Sequence, residues 1–237
     1  MKTTEIINMR KSAHRGTSDL GWLKSFHTFS FGEYYDPAYT GFRSLRVIND
    51  DTVDPGRGFD THRHSNMEII SYVLEGELAH KDSMGNGSVI HPGDLQRMTA
   101  GTGVLHSEFN PSAKNKTHFL QIWIVPGQKG LPPSYQELKA DKIGEKNGLT
   151  LIASPNESDG VIKIHQDVRI YLGRFKTKQT TEYPIASGRG VWLHMIEGRG
   201  SLNSKELSAG DGAAIENIAK IMMTIESNTK FLLFDLL

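Results

Sequence analysis

The 237-residue chain contains no cysteine. Disulfides and thiolate metal sites are therefore excluded, and any bound metal must use nitrogen and oxygen ligands. An excess of either charge is also missing, since 27 basic residues balance 27 acidic ones. Proteins that grip DNA, RNA or anionic membranes display basic surfaces, so direct nucleic-acid contact is not expected. No window approaches the roughly 18 apolar residues of a membrane span. The opening stretch MKTTEIINMRKSAHRG lacks the apolar core of a secretory signal, and the expectation is a cytoplasmic protein.

What the chain does have is punctuation. Glycines (24) and prolines (9) separate short alternating or apolar runs, the pattern of strands joined by turns. The runs at 44–48, 68–74, 77–81, 118–125, 161–164, 191–196 and 231–237 are the clearest predicted strands. Asp82-Ser-Met-Gly-Asn-Gly87 reads as a hairpin loop. A break falls between Pro126 and Gly148, where prolines, glycines and a lysine-rich polar stretch collect. The chain is accordingly divided into an N-terminal domain (1–130), a linker (131–147) and a C-terminal domain (148–237).

An internal repeat supports that division. Val73-Leu-Glu-Gly76 precedes His91-Pro-Gly-Asp94 in the first half, and Met195-Ile-Glu-Gly198 precedes Ser208-Ala-Gly-Asp211 in the second. Both copies place a strand ending in Glu-Gly before a Gly-Asp turn, as a duplicated small barrel would.

Chemistry concentrates in two segments of the first half. One runs from Gly56 through His62-Arg-His64 to Glu68, and the other is Gly101-Thr-Gly103-Val-Leu-His106-Ser-Glu108-Phe-Asn110. His62 and His64 are two apart, as are His106 and Glu108. On a strand such pairs share a face, so two neighbouring strands can aim three imidazoles and a carboxylate into one cavity. A nitrogen-rich set of this kind suits Fe(II), Mn, Co, Ni, Cu or Zn, whereas Mg and Ca prefer oxygen alone. Four protein ligands on an ion that accepts six leave positions open for substrate.

Five residues separate Gly56 from His62, three separate His64 from Glu68, and a glycine-rich turn leads into His106-x-x-x-Asn110. This arrangement resembles the two cupin motifs. The match sharpens across Tyr72-Val-Leu-Glu-Gly76, Pro92-Gly-Asp94-Leu-Gln, Met98-Thr-Ala-Gly101-Thr-Gly103-Val-Leu-His106-Ser-Glu108 and Leu120-Gln-Ile-Trp-Ile, which resemble the pirin family. Phe26-His-Thr-Phe-Ser-Phe and Leu45-Arg-Val-Ile-Asn-Asp-Asp51 are similar to bacterial pirin-like proteins with quercetinase activity. The resemblance spans roughly residues 10–237 and departs from the cupin pattern only away from the ligand positions, for example at Thr99.

The resemblance implies an all-β bicupin of two antiparallel, jelly-roll-like barrels packed face to face. It implies metal ligands at His62, His64, His106 and Glu108. In most cupins the first-motif carboxylate, here Glu68, is the ligand instead; Glu68 would otherwise orient an imidazole N–H. Offsets from the shared turns place Pro184, Ala186, Gly190, Met223 and Ile225 at the corresponding C-terminal positions, so no metal is expected there. His165 and His194 read as strand residues; His14, His80, His91 and His118 read as surface or strand positions; His27 reads as packed or hydrogen-bonded. Phe59, Met67 and Met98, beside the ligands, read as core or as an apolar substrate wall.

By implication the activity is that of a quercetin 2,3-dioxygenase. Such an enzyme opens the central ring of a flavonol with O₂ and releases CO, with Glu108 as base. The expected cofactor is one divalent transition metal, Fe(II) by availability, and the expected assembly state is a monomer. The alternative is a metal- or redox-responsive regulator that binds a protein partner without turnover. No membrane partner is expected.

Overall fold

The computed structural model describes residues 5–156, 158 and 160–237. The chain begins with β1 (Ile6–Arg10), β2 (Gly16–Asp19), β3 (Leu23–His27), β4 (Leu45–Val53), β5 (Gly58–His64) and β6 (Glu68–Glu75). It continues through β7 (Leu78–Asp82), β8 (Gly87–Ile90), β9 (Leu95–Thr99), β10 (Val104–Phe109), β11 (Thr117–Ile124), β12 (Ser134–Leu138) and the one-turn helix α1 (Ala140–Ile143). The remainder is β13 (Gly148–Ser154), β14 (Ile162–Lys163), β15 (Val168–Phe175), β16 (Gln179–Pro184) and β17 (Gly190–Glu197). It ends with β18 (Arg199–Leu202), β19 (Lys205–Ser208), β20 (Gly212–Glu216), β21 (Lys220–Ile225) and β22 (Thr229–Leu236). The expected all-β class is observed.

Two compact units emerge, and they have the same strand plan. The N-terminal unit, 16–143 with 164–166, has a seven-stranded sheet in the order β12-β9-β6-β11-β4-β3-β2 and a four-stranded sheet β5-β10-β7-β8. The C-terminal unit, 144–163 and 167–237 with the segment ending at Arg15, has β1-β20-β17-β22-β15-β13-β14 and β16-β21-β18-β19. Matching the lists position by position pairs β5 with β16, β6 with β17, β7 with β18, β10 with β21 and β11 with β22.

The repeated turns are equivalent in detail. Gly76 (φ +72°) and Gly198 (φ +77°) occupy the left-handed region that side-chain-bearing residues avoid. The Gly93 amide donates to the Val73 carbonyl at 2.8 Å, and the Gly210 amide donates to Met195 at 2.9 Å. In each turn the aspartate accepts from the amide three residues earlier: His91 N to Asp94 at 3.1 Å and Ser208 N to Asp211 at 3.0 Å.

Two boundaries differ from the sequence expectation. The stretch read as a linker, 131–147, carries β12, which pairs with β9 from Ser134↔Thr99 to Leu138↔Leu95, followed by α1. Its polar composition suits an edge strand as well as a linker, because an edge strand exposes much of its surface. Residues up to Arg15 group with the C-terminal unit because β1 pairs with β20.

Candidate metal centre

β10 shows how local alternation builds the centre. Val104, His106 and Glu108 are buried, while Leu105 is exposed and Ser107 and Phe109 are half-buried. The pleat therefore sends His106 and Glu108 to the same face. Pairing with β5 sets His106 opposite His62 and Val104 opposite His64, so both β5 histidines flank His106. A register shift follows: Glu108 lies opposite Phe59 rather than the next alternate residue. Bulges of this kind re-aim side chains beside functional sites. At that point β5 must come very close, and a Cβ added to Gly58 would collide with the Glu108 carbonyl oxygen.

Three imidazoles converge. Ring centroids lie 4.7 Å apart for His62–His64, 4.5 Å for His62–His106 and 5.0 Å for His64–His106. One ring nitrogen from each lies within 4.8 Å of the others. His62 Nδ1 sits 2.7 Å from the Asp60 carbonyl oxygen. A carbonyl can only accept, so Nδ1 carries the proton and the Nε2 lone pair is free to bind a cation. The His64 ring meets Trp123 edge-to-face at 4.9 Å, which fixes its plane.

Burial and neighbouring rings keep His64 and His106 neutral and basic in the Lewis sense. Burial, followed by the neighbouring His106 and His62, pushes His64 down to about 4. Burial, followed by His62 and His80, pushes His106 down to about 3. Neutral imidazole is the form that ligates metal. Both ring nitrogens of His106 are buried without a hydrogen-bond partner, a costly state that a cation would relieve. The donor set therefore fits a divalent transition ion.

Glu108 stands beside this trio. Its carboxylate lies within 4.8 Å of ring nitrogens of His106 and His80, but it is not grouped at that distance with His62 and His64. Both oxygens are held: Ser71 Oγ donates to Oε1 at 2.8 Å, and Gln121 Nε2 donates to Oε2 at 2.7 Å. Each carboxylate oxygen has a second lone pair, so these bonds leave room for a cation. Glu68, fully buried at the start of β6, faces His165 instead: its Oε1 lies 3.4 Å from His165 Nδ1.

The remaining singled-out residues mostly match their sequence reading, with His165 the exception. His80, read as a surface or strand position, is a buried strand residue of β7, only 3% exposed; its ring stacks on Tyr135 (4.9 Å) and is tilted against His106 (5.4 Å). His165 lies in a bend rather than a strand. His27 is hydrogen-bonded as expected, to Asn49 Oδ1 at 2.8 Å and Ser18 Oγ at 2.7 Å. Met98 is core, and Phe59 packs edge-to-face on Trp22 at 5.4 Å. Behind the site, Asp51 is fully buried with one oxygen unpartnered. Burial pushes its carboxyl up to about 7, aided by Asp50 and Glu108 and opposed by Ser25 and His118.

Among the described residues, the C-terminal unit has no such cluster. β21 pairs Met223 with Thr181 and Ile221 with Tyr183, so Thr181 and Tyr183 occupy the places of His62 and His64. The turn-anchored offsets had named Pro184 and Ala186. The connection is longer here: Tyr183 lies seven residues before the first residue of β17, whereas His64 lies four before that of β6. Either alignment puts no ligand-type residue opposite Met223.

Known proteins resemble this chain along almost its whole length. A family model described as Pirin matches residues 8–124, and one described as the quercetinase C-terminal cupin domain matches residues 151–236. A quercetin 2,3-dioxygenase of Escherichia coli K12 is 43% identical over 231 residues, covering 98% of this chain and 99% of that one. The crystal structure of YhhW from E. coli superposes with a TM-score of 0.95 at 43% identity, covering 98% of each chain. The bacterial pirin YhhW in complex with nickel(II) gives 0.93 at 42% identity, covering 98% of this chain and 99% of that one.

Proposed function

The chain belongs to the pirin family, and from that premise we propose that it is a metal-dependent quercetin 2,3-dioxygenase. It opens the central ring of a flavonol with dioxygen. Both oxygen atoms are retained in the ester product, and the carbon between the two cleavage points leaves as carbon monoxide. The observation that carries this reading is the convergence of His62, His64 and His106 beside a buried carboxylate, with His64 and His106 held in the neutral form.

His62, His64 and His106 hold one divalent transition ion, with Glu108 as fourth ligand. Fe(II) is the preferred ion on grounds of availability, while affinity order favours Cu or Zn in vitro. When bound, the metal is a Lewis acid that acidifies the flavonol 3-hydroxyl. Glu108 receives that proton on a carboxylate oxygen, and Ser71 and Gln121 keep the group in place as it does so. Removing the hydroxyl proton makes the central ring electron-rich, which is what addition of dioxygen requires. Trp123, packed against His64, walls one side of the cluster with an apolar face.

The test is quercetin consumption with carbon monoxide detection, by protein loaded separately with Fe(II), Ni(II), Co(II), Mn(II), Cu(II) and Zn(II). Turnover with at least one ion, abolished in a folded His62→Ala variant, is the expected result. Absence of flavonol turnover with every ion sinks the assignment.

A further inference from the structure

His80 has no place in the reading above, yet it is built into the same interior. On β7 it alternates with Asp82, so both face inward, and β10 sets Glu108 opposite His80 and His106 opposite Asp82. His80 Nε2 lies 3.2 Å from Asp82 Oδ2, and both side chains are wholly inaccessible to solvent. Asp82 is pinned in turn: it accepts from the Met84 amide at 2.8 Å, the Asn86 amide at 3.1 Å and Asn86 Nδ2 at 2.9 Å. Burial raises its carboxyl, but the bonds from Asn86, His80 and Met84 outweigh that and hold it below the usual range. A carboxylate only accepts, so Nε2 of His80 is the nitrogen that donates, which leaves Nδ1 as the ring atom that can accept.

That Nδ1 is buried and has no hydrogen-bond partner, and neither nitrogen of His106 has one. The two rings are neighbours, 5.4 Å between centroids, with ring nitrogens within 4.8 Å. When His106 uses one nitrogen as a ligand, the other must carry its hydrogen, and in a dry interior that N–H needs an acceptor. A second observation ties the pair to the ligands. In the C-terminal unit, where Met223 and Ile225 stand at the places of His106 and Glu108, pairing with β21 puts Gly200 and Leu202 at the places of His80 and Asp82.

Resting on the metal reading above, we propose that His80, anchored by Asp82, is a positioning residue that accepts the hydrogen bond of the uncoordinated His106 N–H. The Asp82–His80–His106 chain fixes the tautomer and ring plane of His106 and raises its strength as a ligand.

The experiment measures Co(II) and Ni(II) affinity of the full chain by chelator competition at neutral pH, together with the visible spectrum of the Co(II) form. His80→Phe keeps the ring stacking on Tyr135 but loses the acceptor. It is expected to weaken binding about 10–100-fold, leave the stoichiometry at one ion per chain and leave the positions of the cobalt bands unchanged. His80→Gln, whose amide oxygen can accept, restores part of the affinity, and Asp82→Asn loses less than His80→Phe. If His80→Phe does not fold, as judged by the melting transition of the metal-free protein, the Gln and Asn variants carry the comparison. Unchanged affinity in all folded variants overturns the proposal. So do cobalt bands that move in His80→Phe, which would make His80 a ligand, and the loss of a second ion. A wild-type chain that binds neither ion overturns the underlying metal reading as well, and so separates the two failures.

Discussion

The two units share a strand plan and a pair of equivalent turns, yet their interiors are opposites. In the C-terminal unit the matched positions Leu193, Leu233, Leu202, Met223 and Ile225 belong to one continuous apolar core with Val191, Met195 and Phe231. In the N-terminal unit the same positions are Ser71, Gln121, Asp82, His106 and Glu108. Its apolar residues split into separate clusters, one around Leu23, Val53, Val73, Leu78 and Phe119 and another around Ile69, Met98 and Val104. One copy fills its interior with apolar packing and the other with polar and ionisable side chains. Buried polar side chains cost free energy unless each is satisfied, and that explains why Ser71 and Gln121 accompany Glu108 and why Asp82 accompanies His80.

The largest expected break in this contrast comes from the ligands. His106→Ala should lower metal affinity by more than about 100-fold, beyond the upper end for a supporting partner, and abolish flavonol turnover. Metal analysis after dialysis against a weak chelator reads this directly. Met223→Ala, at the equivalent place, should leave metal content untouched.

A pH experiment sharpens the cost side. The Asp51 carboxyl rises from 3.8 to about 7 on folding, equivalent to about 4 kcal/mol. Because the folded value is the higher one, the native state binds the proton more tightly. The contribution is complete below pH 4, shrinks as pH climbs and is gone above about 7. Asp51→Asn should therefore match or trail the wild type in acid and exceed it at pH 8, as read from urea unfolding of metal-free protein. Equal pH slopes in the two proteins contradict this. Gly173, with no side chain, pairs with Phe231 in the other unit where Asp51 pairs with Phe119, so that position contributes no such slope.

Much of this centre is legible in the chain. His62, His64, His106 and Glu108 announce themselves because two-residue spacing maps onto one strand face whatever the tertiary detail. The supporting residues do not. Ser71, Gln121 and His80 are ordinary letters in ordinary strands, and only the observed register of β10 against β7 and of β11 against β6 brings them to the carboxylate. The counterparts of the histidines were misplaced for a similar reason, since counting back from a turn fails when the intervening loop changes length. Polar composition hid β12 because an edge strand and a linker draw on the same residues.

Smaller effects complete the series. Met223→Ala removes buried volume from the apolar core and should cost about 2–5 kcal/mol in unfolding free energy. Gln121→Leu copies the apolar choice of the C-terminal unit but strands a Glu108 oxygen. It should reduce metal affinity by roughly tenfold, with a stability change of about 1–3 kcal/mol for the orphaned acceptor. Titration calorimetry and thermal melts of the same preparations separate the two readouts, and a Gln121→Leu protein with wild-type affinity would show that the carboxylate needs no such support.

The central claim is that one unit alone holds a single ion through three imidazoles and one carboxylate. Crystals of the full chain soaked in nickel(II), with anomalous scattering collected at the nickel edge, test it most directly. One peak is predicted, within coordination distance of His62 Nε2, a nitrogen of each of His64 and His106, and an oxygen of Glu108. A peak in the C-terminal unit, a second ion, or a site that omits any two of those residues would contradict the account.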